Sequence, residues 1–231
     1  ACCALLACRT ADAQSATPTG FVDRVFEDAE GEHKYVLFVP AKYSPEKQWP
    51  VVLYLHGAGE RGDDGQKQLS LGLGPYVKSR AKTFPFFVVF PQANNRPGQT
   101  IKEAWASTAP EGKLANAILE SVEKEFSIDT KRRLLTGWSM GGYGVWQQAA
   151  ANPTRWSAIV PVTGGGKTEL TEKLTTLPIW AFHGREDAIV KPDETRALIA
   201  ALKAAGGKPR YTEFVDGDHY AFKVAYDNNA L

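Results

Sequence analysis

Apolar and polar residues alternate from Phe21 to Phe26 and again from Lys34 to Pro40, on either side of Asp28-Ala29-Glu30-Gly31. Period-two alternation around a turn-forming cluster predicts an antiparallel hairpin with one solvated face. The next apolar segment is of another kind. Val51-Val52-Leu53-Tyr54-Leu55 is continuous and ends at His56-Gly57, as a strand covered on both faces of a parallel sheet would. Phe86 to Phe90, Arg133 to Thr136, Ala158 to Val162 and Ile179 to Phe182 repeat the theme. Between them the period lengthens. Leu114, Ile118, Val122 and Phe126 recur at every fourth position ahead of Ser127-Ile128-Asp129. Tyr143 to Ala151 is helix-compatible, and Leu198 and Leu202 keep the helical spacing within Glu194 to Ala205, with Pro192 at a helix start.

An antiparallel start followed by alternating strands and helices predicts an α/β fold: a mostly parallel central sheet, an antiparallel N-terminal hairpin, and helices on both faces. Ligands of such sheets bind beyond the carboxyl ends of the strands. His56, Ser139, His183, Asp187 and His219 all fall there. The 231 residues suit one large domain, expected over residues 19–231. Hydrophobic content of 43% and charged content of 23% are ordinary for a globular domain. A net charge of +1, with no Lys/Arg cluster, gives a nucleic acid or an anionic membrane no electrostatic footing. No internal repeat is visible, and no run is long enough to span a bilayer.

The three cysteines, Cys2, Cys3 and Cys8, lie at the very start. The remainder therefore offers no internal disulfide, thiolate metal site or cysteine nucleophile. Ala1 to Ala7 reads as the tail of a secretory signal, and Ala11-Asp12-Ala13 fits a cleavage site releasing a chain that begins at Gln14. Leu5-Leu6-Ala7-Cys8 fits a lipoprotein box instead, with Cys8 carrying the lipid. Either reading predicts export, to the medium or a bacterial periplasm, and removes residues 1–18 from the fold. The oligomeric state is not legible.

Chemistry enters at Gly137-Trp138-Ser139-Met140-Gly141, a G-x-S-x-G run between a predicted strand and a predicted helix. That context makes it a nucleophile elbow, with Ser139 on a turn too tight for neighbouring side chains. A serine hydroxyl attacks only when a base takes its proton and an acid orients the base. In this arrangement acid and base follow the serine in that order. His33 and His56 precede it, and His56 and His183, both in His-Gly pairs at strand ends, are predicted to brace loop backbone. His219, in Gly217-Asp218-His219 past the last strand, is the expected base. Asp187, in the turn His183-Gly184-Arg185-Glu186-Asp187, is the expected acid. Glu186 is its neighbour, and Asp193 is placed to support a helix start instead.

A developing oxyanion needs two N–H donors. Met140, after the nucleophile, supplies one; Ala58, or Gly59 next to it, supplies the other from the glycine-rich loop His56-Gly57-Ala58-Gly59-Glu60-Arg61-Gly62. Trp105, Trp138, Tyr143 and Tyr220 are candidates to line the substrate site, and Trp146 is expected in the core. Gly164-Gly165-Gly166-Lys167-Thr168 is no phosphate loop, because Pro161 stands where the first glycine is required. No cluster has metal-ligand spacing, and no cofactor is implied.

These segments resemble the α/β-hydrolase superfamily, and especially the small secreted bacterial esterases of the phospholipase/carboxylesterase-like, dienelactone-hydrolase-like and "predicted peptidase" groups. The likeness is carried by Leu55 to Gly62, Leu135 to Gly142, Phe182 to Asp187, and Gly217 to His219. It implies a Ser139–Asp187–His219 triad, an oxyanion hole at Ala58 and Met140, and ester hydrolysis through an acyl-enzyme. Such relatives continue beyond the histidine into a terminal helix, which is expected to be truncated at Leu231. Only Thr163 to Pro178 separates two strands between which a lid is often inserted. An open site for short acyl, acetyl or feruloyl esters of exposed or polymer-linked alcohols is expected. A serine peptidase would use the same triad on a poorer leaving group. A non-catalytic exported binding protein would have no use for it.

Overall fold

The computed structural model describes residues 17–227. The readings at Cys8 and Gln14 lie outside the described residues. Among the described residues eight strands follow one another: β1 Gly20–Asp28, β2 Gly31–Val39, β3 Trp49–Leu55, β4 Phe87–Pro91, β5 Ile128–Trp138, β6 Ala158–Val162, β7 Trp180–Gly184 and β8 Arg210–Phe214. They form one sheet in the order β1-β2-β4-β3-β5-β6-β7-β8. β1 to β2 and β2 to β4 are antiparallel, and every other neighbouring pair is parallel. The mixed sheet with an antiparallel N-terminal hairpin is the architecture the hydrophobic pattern predicts.

Among the described residues five α-helices cover it: α1 Leu73–Ser79, α2 Pro110–Glu125, α3 Met140–Ala151, α4 Pro192–Ala204 and α5 Phe222–Ala225. The continuous apolar run of β3 is explained by its two faces. Val51, Leu53 and Leu55 join a core with Ile118 and Val122 of α2, Trp146 of α3 and Leu198 of α4. Val52 and Tyr54 join a second core with Leu73 and Val77 of α1 and Phe222 of α5. Burying one such side chain contributes about 1.5–3 kcal/mol. The four-residue stripe of α2 therefore outweighs its helix propensity in fixing where that helix sits.

Two elements depart from expectation. β5 starts at Ile128, well before Arg133, because Ile128 pairs with Trp49 across a register shift. Its charged segment is tolerated because Arg132 pairs with Asp129 at 2.6 Å, while Arg133 grips Glu123 of α2 through two hydrogen bonds of 2.5 and 2.8 Å. Helix α1 was not foreseen, being too short to show a period. Between β6 and β7 the chain makes only one short helical turn, Thr168–Lys173. β3, β5, β7 and β8 run the same way, so the loops carrying His56, Ser139, Asp187 and His219 leave one edge of the sheet.

Candidate active site

β5 ends at Trp138 and α3 begins at Met140, so Ser139 alone makes the turn, with φ 54° and ψ −119°. A non-glycine residue in such a conformation costs about 1–3 kcal/mol and persists only where its surroundings impose it. Here they do. The Ser139 N–H donates to Val162 O at 3.0 Å, and Thr163 Oγ1 accepts from the same group at 3.3 Å. The strand before the turn and the helix after it close on β3 because Gly141 has no side chain. A Cβ there would run into the Leu55 carbonyl, and one at Gly142 would lie 2.6 Å from Val162 O.

His219 Nε2 lies 2.9 Å from Ser139 Oγ, and its Nδ1 lies 2.8 Å from Asp187 Oδ2. The carboxylate can only accept, so Nδ1 carries the proton and Nε2 is left to accept from the serine hydroxyl. Asp187 is itself fixed. Its Oδ1 accepts the Ile189 and Val190 N–H groups, each at 2.9 Å. His183 Nε2 stands 3.2 Å from Oδ2. Burial by itself would raise the Asp187 carboxyl, but hydrogen bonds from His183, His219, Val190 and Ile189 outweigh it and hold the group well below the usual carboxylate range. Ser139, His219 and Asp187 are all buried, at 5%, 7% and 2% exposure.

The loop after β3 is tied on every side. His56, fully buried, accepts the Ala93 N–H on Nε2 at 2.9 Å and donates from Nδ1 to Gly57 O at 2.6 Å. Trp105 Nε1 donates to His56 O at 3.1 Å. Glu60 Oε2 accepts the Gly57 N–H at 2.8 Å. Burial pushes the His56 imidazole down to about 4 and pushes the Glu60 carboxyl up. The Ala58 and Met140 N–H groups find no acceptor among the described residues. Met140 opens α3, where the helix dipole favours negative charge.

The structure brings together Ser139, His219 and Asp187, and leaves Ala58 and Met140 with unused donors. It does not expose all four aromatic candidates. Trp105 is 1% exposed and committed to His56. Tyr143, also 1% exposed, donates its phenol to Glu194 at 2.8 Å. Both are framework, since an aromatic with a polar handle is as readily spent inside as at a ligand. Trp138 is buried between His219 and Phe222, with ring centroids 5.5 and 4.6 Å away. Tyr220 is 43% exposed beside His219. Sequence reasoning passed over Ile189, exposed two residues from Asp187, and the buried Glu60. A carboxylate in a glycine-rich loop at a strand end was the available signal. Among the described residues no three His, Cys, Asp or Glu side chains group so as to hold a metal ion, and no helix is long and apolar enough to cross a membrane.

Residues 27–165 match the family model described as putative esterase. The chain is 27% identical over 161 residues to a probable feruloyl esterase C of Aspergillus terreus, covering 69% of this chain and 57% of that protein. It is 24% identical over 164 residues to a bifunctional acetylxylan esterase/xylanase of Neocallimastix patriciarum, covering 71% of this chain and 22% of that one. A crystal structure of a thermostable esterase superimposes with a TM-score of 0.81 at 32% identity, over 91% of this chain and 60% of that chain. The chain thus spans little more than half the length of the first of these relatives.

Proposed function

This chain belongs to the putative esterase family, and we propose that it hydrolyses carboxylic esters through an acyl-enzyme on Ser139. The relay from Asp187 through His219 to Ser139, at 2.8 and 2.9 Å, carries the reading. Ser139 Oγ attacks the ester carbonyl carbon while its proton passes to His219 Nε2. Asp187 offsets the charge that forms on the imidazole. The carbonyl oxygen, now negative, lies against the N–H groups of Met140 and Ala58; each such donor is worth about 10²–10³ in rate. Collapse of the tetrahedral adduct breaks the bond to the alcohol oxygen, which takes the proton from His219. Water then repeats the sequence on the acyl-serine and releases the acid.

Short acyl, acetyl and feruloyl esters of exposed or polymer-linked alcohols are the substrates proposed. Relatives named for feruloyl and acetylxylan ester cleavage support this choice. So does the short β6–β7 connection, which among the described residues holds one helical turn and no inserted lid domain. Tyr220, with Ile189, offers apolar surface to the substrate beside His219 and Asp187. Export belongs to the same proposal, with Gln14 as the first mature residue or Cys8 as a lipid anchor.

The test is turnover of p-nitrophenyl acetate, butyrate and laurate, methyl ferulate and a peptidyl p-nitroanilide by the protein and by its Ser139→Ala variant. Short-chain or feruloyl hydrolysis that vanishes in the variant is expected. Dominant anilide cleavage would make it a peptidase, and silence from folded protein would sink the catalytic reading.

A further inference from the structure

His183 is the last residue but one of β7, fully buried, four positions before Asp187. Its surroundings fix a proton. Nε2 faces two oxygens, Val190 O at 2.9 Å and Asp187 Oδ2 at 3.2 Å. Neither can donate, so Nε2 must carry hydrogen whatever the rest of the ring does. The opposite nitrogen, Nδ1, lies 2.8 Å from Thr195 Oγ1 of α4, and that hydroxyl reaches Gly164 O at 2.5 Å. The ring is therefore pinned to α4 on one side; on the other its N–H is aligned with the Val190 carbonyl, and the Asp187 carboxylate stands 3.2 Å from the same nitrogen.

We propose that His183 is a positioning residue for the acid, donating from Nε2 to the same Asp187 oxygen that holds His219. This rests on reading Asp187 and His219 as the acid and base of Ser139. A histidine serving only the Val190 carbonyl is the simpler alternative. The carboxylate contact is the longer and less aligned of the two, but its acceptor is charged, and charge assistance roughly doubles what a contact of this kind contributes. The charged partner thus takes a large share of the interaction.

The consequence is chemical. Asp187 Oδ2 divides its negative charge between two imidazoles. Each donor on that oxygen reduces what it can offer the cation that forms on His219 during turnover. Removing His183 makes the carboxylate a stronger partner for His219 and raises the pH at which the base is lost to protonation. The other groups around the pair do not replace it. Ser139 and the Trp138 ring face His219, Asp218 turns its carboxylate to the Tyr220 N–H, and the Tyr143–Glu194–Lys102 cluster reaches Asp187 only through the field.

Two variants of the whole chain, His183→Met and His183→Gln, test this on p-nitrophenyl acetate across the acid limb of kcat/KM. Methionine fills the space without a donor, and glutamine keeps an N–H near the position of Nε2. With the acid no longer held in place, the His219 ring loses its fixed orientation, and the methionine variant is expected to lose up to about 100-fold in kcat with little change in KM, despite the stronger carboxylate. Its acid limb should move upward by about half to one pH unit, and glutamine should restore most of both. An acid limb unmoved in folded methionine protein, or glutamine no better than methionine, overturns the proposal. Should the methionine variant not fold, NMR of the His183 Nε2 proton in the parent protein and in Asp187→Asn decides. A proton signal that moves when the carboxylate charge is removed supports the assignment, and a signal left unmoved, as a bond to the Val190 carbonyl alone would give, overturns it. Activity surviving in Ser139→Ala would instead strike the underlying reading and leave the ring spectrum to judge His183.

Discussion

His56 Nδ1 lies 2.6 Å from the carbonyl oxygen of the residue that follows it, Gly57. This contact aims a different group. A trans peptide is planar, with its carbonyl and its N–H pointing opposite ways, and no cis bond occurs among the described residues. Holding Gly57 O from one side therefore turns the Ala58 N–H to the other. The preceding unit is held as well, His56 O by Trp105 and the Gly57 N–H by Glu60. Of the four polar groups on these two peptides, only the Ala58 N–H is left over among the described contacts. His56 and Trp105 thus act on the proposed oxyanion donor without touching substrate.

Replacing His56 with Phe keeps a ring against Trp105 but releases the Gly57 carbonyl and orphans the Ala93 N–H. Loss of one aimed donor is worth about 10²–10³ in rate when complete, and a loosened donor should cost part of that, about 10–100-fold in kcat with KM little changed. Trp105→Phe, which frees only His56 O, should lose less. Kinetics on a short ester, alongside melting curves, would check both. Unchanged kcat in folded His56→Phe protein would break the link to Ala58.

The same histidine predicts acid sensitivity. In the fold it stays neutral, because the Ala93 N–H already occupies Nε2 and burial brings its pKa from 6.5 down to about 4. The unfolded chain takes up that proton first. Stability on this account is complete above 6.5, falls as pH drops towards 4, and levels off below. The loss is at most about 3 kcal/mol. Glu60, raised by burial, works in the opposite sense at the lower end of the window. Urea unfolding at a series of pH values should show the decline in the native protein and a shallower one in His56→Asn. Equal slopes would remove His56 as the cause.

Two glycines of the site should differ in their response to alanine. At Gly141 the added Cβ meets backbone, the Leu55 carbonyl, which cannot swing aside. Helix propensity returns about 1 kcal/mol, too little against an overpacking cost of about 3 kcal/mol or more. At Gly59 a Cβ meets nothing within 4 Å, and Gly59→Ala should stay within about 0.5 kcal/mol of the parent. Denaturation midpoints would separate them. A tolerated Gly141→Ala would mean that β3 and the elbow are not in contact.

Much of this was legible because strand, turn and helix each have a sequence signature. The hairpin, β3, the G-x-S-x-G turn and the order of Ser139, Asp187 and His219 all rest on local pattern. Side-chain direction does not. Nothing in the residue type says that Trp105 points at His56 O or that Tyr143 points at Glu194, because those partners come from distant segments. The start of β5 was hidden for a related reason. Asp129 to Arg132 reads as loop until its charges are matched, Arg132 with Asp129 and the adjoining Arg133 with Glu123 of α2. His183 could be placed at a strand end, but its contact with Asp187 needed the turn between them.

Strain at Ser139, the proposed nucleophile, should be visible in stability. Ser139 holds φ 54° and ψ −119°, a conformation open to glycine and costly to any residue with a Cβ. Ser139→Ala removes the hydroxyl and keeps the strain. Ser139→Gly removes both, and the relief of about 1–3 kcal/mol exceeds the roughly 0.5–1 kcal/mol that glycine gives back through the freedom of the unfolded chain. The glycine variant should therefore be the more stable of the two, by about 1 kcal/mol, while both are inactive. Urea unfolding of the pair would measure the difference directly. If the alanine variant proved equal or more stable, the turn would be at ease and the fold would hold the serine at no cost in stability.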